Sequence, residues 1–365
     1  MRKQADSFDK SENDKKNINK TDIKSLTYDE LSEQIQSMGE KAFRATQIYD
    51  WLHVKLAEGF DEMTNLSAAF REQCKERFSY TLLKPVKVQE SQMDGTKKFL
   101  FDLGDGNFVE SVFMPYHHGN SLCISSQAGC RMGCRFCASG IDGLSRSLLA
   151  SEMLEQVYRS ERLTGERISN VVVMGTGEPL DNYDNLVRFI RLLSHEKGLH
   201  ISQRNITVST CGIVPGIKRL AEEDLQITLA ISLHAADDKK RQELMPIAKV
   251  YSIGELIDAV GYYFDKTGRR ITFEYSLVAG MNDTYEDAEK LSNLVSGLNC
   301  HINLIPVNPV KERNFRRPVQ TSVDAFKNKL EKNKINVTIR RELGTDIDGA
   351  CGQLRKRYLD APKSQ

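Results

Sequence analysis

The stretch Gln127-Ala-Gly-Cys130-Arg-Met-Gly-Cys134-Arg-Phe-Cys137 organises the chain, and three and then two residues separate its cysteines. Structural, tetrahedral zinc sites and ordinary iron–sulfur clusters have four protein ligands. Three thiolates therefore leave one metal position open to a ligand that the protein does not supply. The alternative is a structural zinc site whose fourth ligand is a distant histidine or one of Cys123, Cys211 and Cys300.

The CxxxCxxC spacing, with Phe136 just before the third cysteine, resembles the signature of the radical S-adenosylmethionine (SAM) superfamily. The resemblance implies that Cys130, Cys134 and Cys137 hold a [4Fe–4S] cluster. It also implies that the amino and carboxylate groups of SAM bind the fourth iron. The motif does not specify which reaction follows.

Composition sets broad limits on the class of protein. The 365 residues include 51 Lys and Arg against 50 Asp and Glu, so net charge argues neither for nor against nucleic acid. Eight cysteines, three of them clustered, indicate metal or catalytic thiols more than a disulfide framework. Without an apolar run resembling a signal peptide or a membrane span, the sequence predicts a cytoplasmic protein with no membrane partner.

The amino-terminal third contains three successive sequence patterns. Residues 1–24 are polar and predict a disordered tail. Residues 25–84 predict a small helical accessory domain, because a capping-box pattern at Thr27 precedes apolar residues at helical spacing. Residues 85–118 alternate with a period of two between Gly-containing turns, which predicts a β meander.

From residue 119 to 357 apolar strand patterns alternate with helical patterns, and residues 358–365 form a tail. Six β/α units predict an α/β fold, a partial (β/α)6 TIM-like barrel open on one side; a flat doubly wound sheet is the alternative. The predicted strands are 122–126, 168–174, 205–209, 226–233, 271–277 and 301–307, with helices at 150–163, 182–194, 215–223, 253–266 and 285–298.

Polar residues follow several of these strands. The second strand ends in Gly175-Thr-Gly177-Glu178, which resembles the GGE-type motif that binds the amino group of SAM. Later strands end in Ser209-Thr-Cys-Gly212, Ser232-Leu-His234 and Asn308-Pro309. Side chains at successive strand ends are expected to line one pocket. For His234 alone, a structural role is an equal alternative.

Two further residues stand apart from the core pattern. Glu110 lies between valines in the last strand of the meander, where pattern alone leaves it solvated on an edge strand. Cys351 lies between Ala and Gly in the turn-forming segment 344–354, which suits an accessible reactive thiol or an ordinary free cysteine.

Together these motifs resemble the RlmN/Cfr family of radical SAM adenine methyltransferases that act on ribosomal RNA, from about Tyr28 to Leu354. The resemblance implies that Cys351 becomes S-methylated, that Cys123 is the resolving thiol and that Glu110 is the acid/base group near the target adenine. The implied SAM contacts are Gly177, Glu178, Ser209, Ser232, Leu233, His234 and Asn308.

The family mechanism implies two SAM molecules per turnover. One methylates Cys351, and the second, cleaved reductively by the cluster, yields the radical that takes a hydrogen from that methyl group. A disulfide between Cys123 and Cys351 then releases the product. Pro179 is typical of members that act at adenine C2, whereas the antibiotic-resistance relatives that act at C8 tend to have Ala there.

The implied partners are 23S rRNA, methylated at the peptidyl-transferase centre before full ribosome assembly, tRNA, and a reductant such as flavodoxin or ferredoxin. A basic patch near the carboxyl terminus is expected to hold phosphates, with a solvated surface as the alternative. Its residues are Lys311, Arg313, Arg316, Arg317, Arg340, Arg341, Arg355, Lys356 and Arg357. Rival functions are a metal-bearing RNA-binding protein without catalysis and a radical SAM enzyme acting on a protein or small molecule.

Overall fold

The computed structural model describes residues 20–307, 315–347 and 353–360. Its amino-terminal part holds three α-helices and a short parallel pair of strands. The disordered tail predicted for residues 1–24 was wrong at its end, because Thr21 and Asp22 pair with Phe78 and Ser79 and the side chains of Ile23 and Lys24 are buried. Residues 1–19 lie outside the described residues. Thr27 begins the first helix with the predicted capping box: its hydroxyl accepts from the Glu30 N–H at 3.2 Å, and the Glu30 carboxylate accepts from the Thr27 N–H at 2.8 Å. These elements are β1 (Thr21–Asp22), α1 (Tyr28–Ser37), α2 (Phe43–His53), α3 (Ala68–Arg77) and β2 (Phe78–Ser79).

The predicted meander forms three antiparallel strands that continue into the main sheet. They are β3 (Lys84–Glu90), β4 (Lys97–Asp102) and β5 (Phe108–Met114), followed by β6 (Asn120–Ile124). Glu110 lies on β5 and is only 3% exposed. The expectation that it is solvated on an edge strand was wrong, because β5 is an interior strand between β4 and β6.

Beyond β6 the sheet continues with parallel strands in chain order. A separate hairpin of β7 (Gln127–Gly129) and β8 (Leu144–Ser147) flanks the cysteine loop. The parallel strands are β9 (Ile168–Val173), β10 (Ile206–Thr210), β11 (Thr228–Ser232), β12 (Ile271–Leu277), β13 (Cys300–Pro306) and β14 (Val337–Ile339). The remaining helices are α4 (Ala150–Thr164), α5 (Tyr183–Ser194), α6 (Val214–Ala221), α7 (Asp238–Leu244), α8 (Ile253–Thr267), α9 (Tyr285–Leu294), α10 (Gln320–Lys332) and α11 (Gln353–Asp360).

Strand order settles the architecture. From β6 to β14 each parallel strand pairs with the next parallel strand in the chain, as in a barrel wall, whereas a doubly wound sheet reverses its order at a switch point. Within the described residues β3 and β14 are the two edges of the sheet, so the barrel is open. The predicted partial barrel is confirmed.

Three elements of the barrel were not predicted, and helix α10 (Gln320–Lys332) is the longest of them. Strand β14 has only three residues, none of them fully buried, so it lacks an apolar run. Helix α7 has the sequence Asp-Lys-Lys-Arg-Gln-Glu-Leu, which shows no apolar periodicity although Arg241 and Leu244 are buried.

The amino-terminal helices dock on α4 through buried polar groups. The Lys24 ammonium is fully buried, pairs with Glu155 and donates to the carbonyl of Thr81 at 2.9 Å. His53 and Tyr158 share a hydrogen bond of 2.7 Å. Because each buried group meets a partner, desolvation is offset and the helices attach to the barrel in one orientation. None of the described helices is both long and apolar enough to cross a membrane.

Candidate active site

A cavity of about 190 Å³ opens at the carboxyl ends of β9, β10 and β11. The three motif cysteines and most of the predicted SAM contacts line it: Cys130, Cys134, Cys137, Gly177, Glu178, Ser209, Ser232 and His234. The Leu233 side chain is fully buried and is not among the lining residues; the backbone N–H of Leu233 donates to the Glu274 carbonyl at 3.0 Å. Asn308 and Cys351 lie outside the described residues.

The cysteine loop is held at both ends. At its start, the Cys130 N–H donates to the Gly143 carbonyl at 2.9 Å, and a Cβ on Gly129 would lie 2.1 Å from that same oxygen. Further along, the Arg135 N–H donates to the Leu244 carbonyl at the end of α7, at 2.9 Å. The loop is therefore clamped between the β7–β8 hairpin and α7.

The thiols of the loop are close enough to influence each other's ionisation. Burial, with a smaller contribution from the neighbouring Cys137, raises the pKa of Cys130 to about 11. Burial also raises the pKa of Cys134, and Cys137 and Cys130 add to that shift. Binding to a cationic metal centre would offset this repulsion.

The donor set fits a cluster better than a single ion. Among the described residues, no three His, Cys, Asp or Glu side chains are grouped to hold one metal ion. A four-iron cluster binds each thiolate through a different iron, so three thiols spread around one cavity suit it. Of the three cysteines considered as a fourth zinc ligand, Cys211 lines this cavity, whereas Cys123 and Cys300 do not.

The turn after β9 packs against the strand segment that leads to the cysteines. Gly177 has a φ of +113°, and a Cβ there would lie 2.7 Å from both Gln127 Cβ and Ser126 Oγ. The next residue, Glu178, donates its N–H to Gln127 Oε1 at 2.8 Å. Only glycine fits at Gly177, since any side chain would push the turn away from the cysteine loop.

The Glu178 carboxylate is buried beside the thiols. It accepts from the Leu180 N–H at 3.0 Å and from the Cys211 N–H at 2.7 Å, while burial raises its pKa. A carboxylate fixed by two backbone donors at the wall of a cavity can bind an ammonium group.

His234 is held in one tautomer. Its backbone is left-handed with a φ of +57°, and its Nδ1 accepts from the Ser276 N–H at 2.9 Å. Nε2 therefore carries the proton. Burial lowers the pKa of His234 to about 3, so the ring is neutral and can donate a hydrogen bond into the cavity. Both of the roles considered from sequence are consistent with this geometry.

Glu110 lies on β5, two strands from β9 in the sheet, and contacts the carboxyl-terminal helix. Lys98 Nζ is 3.0 Å from Glu110 Oε2, and the backbone N–H of Arg355 in α11 donates to Glu110 Oε1 at 2.5 Å. Cys123 on β6 pairs across the sheet with Val112 of β5 and packs near Leu343. Glu110 and Cys123 thus lie on adjacent strands.

The chain is anchored to the meander before and after residues 348–352. The Asp346 carboxylate accepts from Ser91 Oγ at 2.6 Å and from the Gln92 N–H at 2.9 Å. Two residues earlier, the Gly344 N–H donates to Asp94 Oδ2 at 2.8 Å. On the other side, Arg355 is attached to Glu110. Both flanks of Cys351 in the sequence are therefore fixed to one part of the sheet.

Only some residues of the predicted basic patch are exposed to solvent. Arg316, Arg317, Arg340, Arg341 and Arg357 are exposed, and Arg317 pairs with Glu342. Arg355 is buried instead, because it begins the helix that packs on β5. Lys311 and Arg313 lie outside the described residues.

Lys98 and Arg241 contact this site and were missed from the sequence. Lys98 shares a strand face with Leu100, so a lysine on an apolar face was the available signal. Arg241 gave no signal, since it lies in a run of charged residues that is typical of a solvated helix.

Comparison with known proteins now identifies the family. The family model described as Radical SAM superfamily matches residues 124–295, and the ribosomal RNA large subunit methyltransferase N-terminal domain matches residues 21–79. A probable dual-specificity RNA methyltransferase RlmN of Lachnospira eligens is 65% identical over 93% of this chain and 97% of its own. The corresponding protein of Clostridium perfringens is 51% identical over 92% and 97%.

A solved structure agrees with this assignment. The crystal structure of a radical SAM methyltransferase from Sphaerobacter thermophilus matches with a TM-score of 0.87 and 43% identity, covering 91% of this chain and 98% of that one. The superfamily implies a [4Fe–4S] cluster and SAM as cofactors, and an RNA methyltransferase implies an RNA substrate. The chain belongs to the RlmN family of radical SAM RNA methyltransferases.

Proposed function

We propose that this enzyme methylates C2 of an adenosine in 23S rRNA, at the peptidyl-transferase centre, and C2 of the adenosine 3′ of the tRNA anticodon. Pro179, buried directly after Glu178, supports C2 over C8. The printed names of the relatives, which describe dual-specificity RNA methyltransferases, support two RNA substrates. We place the reaction in the cytoplasm, on 23S rRNA that is not yet fully assembled into a ribosome.

The cavity supports a division of roles among its residues. Cys130, Cys134 and Cys137 would hold the cluster, and Glu178 would bind the amino group of SAM. Other contacts would come from the Gly177 and Leu233 backbones and from Ser209, Ser232, His234 and Asn308. When bound, the cluster and SAM would supply the electron and the radical that an unreactive ring carbon requires. Flavodoxin or ferredoxin would be the reductant.

Cys351 is proposed as the carrier of the methyl group, using one of two SAM molecules per turnover. The proposal rests chiefly on the two anchored flanks, because Asp346 is bonded to the turn between β3 and β4 and Arg355 is bonded to Glu110 on β5. Because the chain is attached on each side of residues 348–352, the few residues between the two attachments can extend only a short distance from them. This supports a position of Cys351 close to Glu110. Covalent carriage divides one inaccessible step into feasible ones.

Glu110 and Cys123 would complete the transfer. Glu110 would accept the proton that leaves the ring carbon, which requires the Arg355 N–H to release Oε1. The thiolate of Cys123 would then attack the sulfur of Cys351 and form a disulfide, while the bond between that sulfur and the transferred carbon breaks. The electron pair of that bond would pass to the carbon and the ring attached to it, and the carbon would take up a proton to become the methyl group. Their adjacent strands support this order, since β5 and β6 pair directly.

Mass spectrometry tests the carrier. In enzyme purified anaerobically with SAM, the peptide containing Cys351 should be heavier by one methylene group. Cys351→Ala should abolish methyl transfer to RNA, while Cys300→Ala, a matched change at the start of β13, should not. Nuclease digests of the product should contain 2-methyladenosine. Methyl transfer by Cys351→Ala at the parental rate would overturn the carrier, and 8-methyladenosine would overturn the C2 assignment.

A further inference from the structure

Arg241 is a fully buried cation that does not line the cavity itself but bonds to the backbone of Cys211, which does. Its side chain is 0% exposed and is among the largest fully buried side chains of the described residues. Nη2 donates to the Cys211 carbonyl at 2.8 Å, and Nε donates to the Leu233 carbonyl at 3.2 Å. The guanidinium therefore ties together the chain segments that follow β10 and β11.

These hydrogen bonds go to neutral carbonyl oxygens and therefore do not neutralise the positive charge of Arg241. Arg241 Nη1 is buried and has no hydrogen-bond partner in the described residues. The groups there that act on the guanidinium favourably are Cys211, Cys134 and, third, Asp238. Arginine stays protonated in proteins, and a buried charge is costly unless an anion offsets it. The described residues supply no carboxylate in contact with this cation.

The cysteine loop lies against the same helix. Arg135 donates to the carbonyl of Leu244, three residues after Arg241, and Met245 lines the cavity. Gly212 makes room for the guanidinium, since a Cβ there would lie 3.2 Å from Arg241 Nη2. A cluster held by three thiolates is net negative, and more so when reduced. It is the kind of anion that this location lacks.

We propose that Arg241 is the charge partner of the [4Fe–4S] cluster, offsetting its negative charge and favouring its reduced state. The inference rests on the proposed assignment of Cys130, Cys134 and Cys137 as ligands. Positive charge close to a cluster raises its reduction potential, because the reduced form carries the larger negative charge. Arg241 would then help the enzyme to accept the electron that starts each turnover.

Two variants separate charge from hydrogen bonding. Arg241→Lys keeps the charge and loses the planar fork, whereas Arg241→Gln keeps a donor and loses the charge. The measurements are iron content and the midpoint potential of the cluster, obtained by EPR-monitored redox titration of the loaded full-length protein. We expect Arg241→Gln to shift the midpoint to a more negative potential and Arg241→Lys to stay close to the parent.

Thermal unfolding of the apo and loaded forms is the second readout. If the charge acts on the cluster, loading should raise the Tm of Arg241→Gln by less than that of the parent. Failure of Arg241→Gln to retain iron, with normal retention by Arg241→Lys, would also support the proposal. Three results would overturn the proposal: an unchanged midpoint potential in Arg241→Gln, a shifted midpoint in Arg241→Lys alone, or an equal loss of iron in both variants. Any of them would mean that Arg241 acts only through its hydrogen bonds to the carbonyls of Cys211 and Leu233.

The parental protein provides the control on the underlying assignment. It should retain about four iron atoms per chain, as one cluster requires. A parental protein without iron would contradict the ligand assignment itself. If the parental protein binds iron but its midpoint potential does not depend on Arg241, only the role proposed for Arg241 fails.

Discussion

Lys98 Nζ lies 3.0 Å from Glu110 Oε2, and both side chains are buried in the interior of the sheet. In the antiparallel register Lys98 faces Val112 and Glu110 faces Leu100, so the two are diagonal neighbours on one face. The other carboxylate oxygen accepts the Arg355 N–H. A buried ion pair therefore joins the meander to the helix that follows Cys351.

Lys98→Met should destabilise the protein strongly. Removing one partner leaves the other charge buried without compensation, which typically costs about 3–5 kcal/mol. Urea unfolding of the apo protein measures the change. Lys97→Met is the matched control, because Lys97 is partly exposed in its pair with Glu90 and should cost about 0–1 kcal/mol. Adding Glu110→Gln to Lys98→Met should recover part of the loss, and no recovery would contradict the pairing.

Gly177→Ala should loosen the SAM site. The new Cβ would combine a strained backbone with close contacts to Gln127 and Ser126, a cost of about 1–3 kcal/mol or more. Isothermal titration with SAM and urea unfolding measure the two effects. Gly268→Ala has a positive φ of 63° with open space around it, so it should lower stability by about 1 kcal/mol and leave SAM affinity unchanged. Equal SAM affinities would refute the packing argument.

Stability should fall as the pH is lowered through the weakly acidic range. Burial lowers the pKa of His53 from its ordinary value of about 6.5 to about 3, and the neighbouring Lys24 contributes to the decrease. The unfolded chain therefore binds a proton that the folded chain does not between those values. This stabilisation is complete above pH 6.5 and is lost as the pH falls towards 3, with a slope of up to about 1.4 kcal/mol per pH unit.

His53→Gln should remove the contribution of His53 to the slope of unfolding free energy against pH. The measurement is the free energy of unfolding of the apo protein at a series of pH values between 7 and 4. His117→Gln changes an exposed histidine and should leave the slope as it is in the parent. A parental slope in His53→Gln would contradict the buried neutral form.

Arg340→Gln combined with Arg341→Gln should weaken RNA binding at low salt. Both side chains are exposed directly after β14, at the same end of the strands as the cavity. Loss of two phosphate contacts would reduce the slope of log K against log salt by about 1.4. Lys332→Gln with Lys334→Gln, at the opposite end of β14, is the matched control and should leave the slope unchanged. A parental slope in the arginine double variant would exclude them from the RNA contact.

Much of the barrel could be predicted because its strands are buried on both faces. Ile271–Leu277, in which every residue except Thr272 is buried, has few alternatives to a central parallel strand. The β14 edge of the sheet escaped prediction for the converse reason. Val337–Ile339 is half-exposed, and three residues cannot show a period.

The site was predictable where motif and backbone geometry coincide, as at Gly177 and Glu178. It was not predictable where tertiary packing reverses the usual preference of a residue. Glu110 and Lys98 become buried because neighbouring strands cover them, and Arg241 because α7 lies under the cysteine loop. Local sequence gave one signal of such packing, the position of Lys98 on an apolar strand face, and none for Arg241.

The buried contact between Lys24 and Glu155 bears on protein engineering. The residue after Glu155, Gln156, bonds to Ser125 in the segment that leads to the cysteines, with its Oε1 2.8 Å from the Ser125 N–H. Two consecutive residues of α4 therefore bind the amino-terminal part, through Glu155, and the segment before the cysteine loop, through Gln156. Chimeras that borrow the first eighty residues from a relative should fail unless the graft restores an ammonium at position 24, or unless position 155 is exchanged with it.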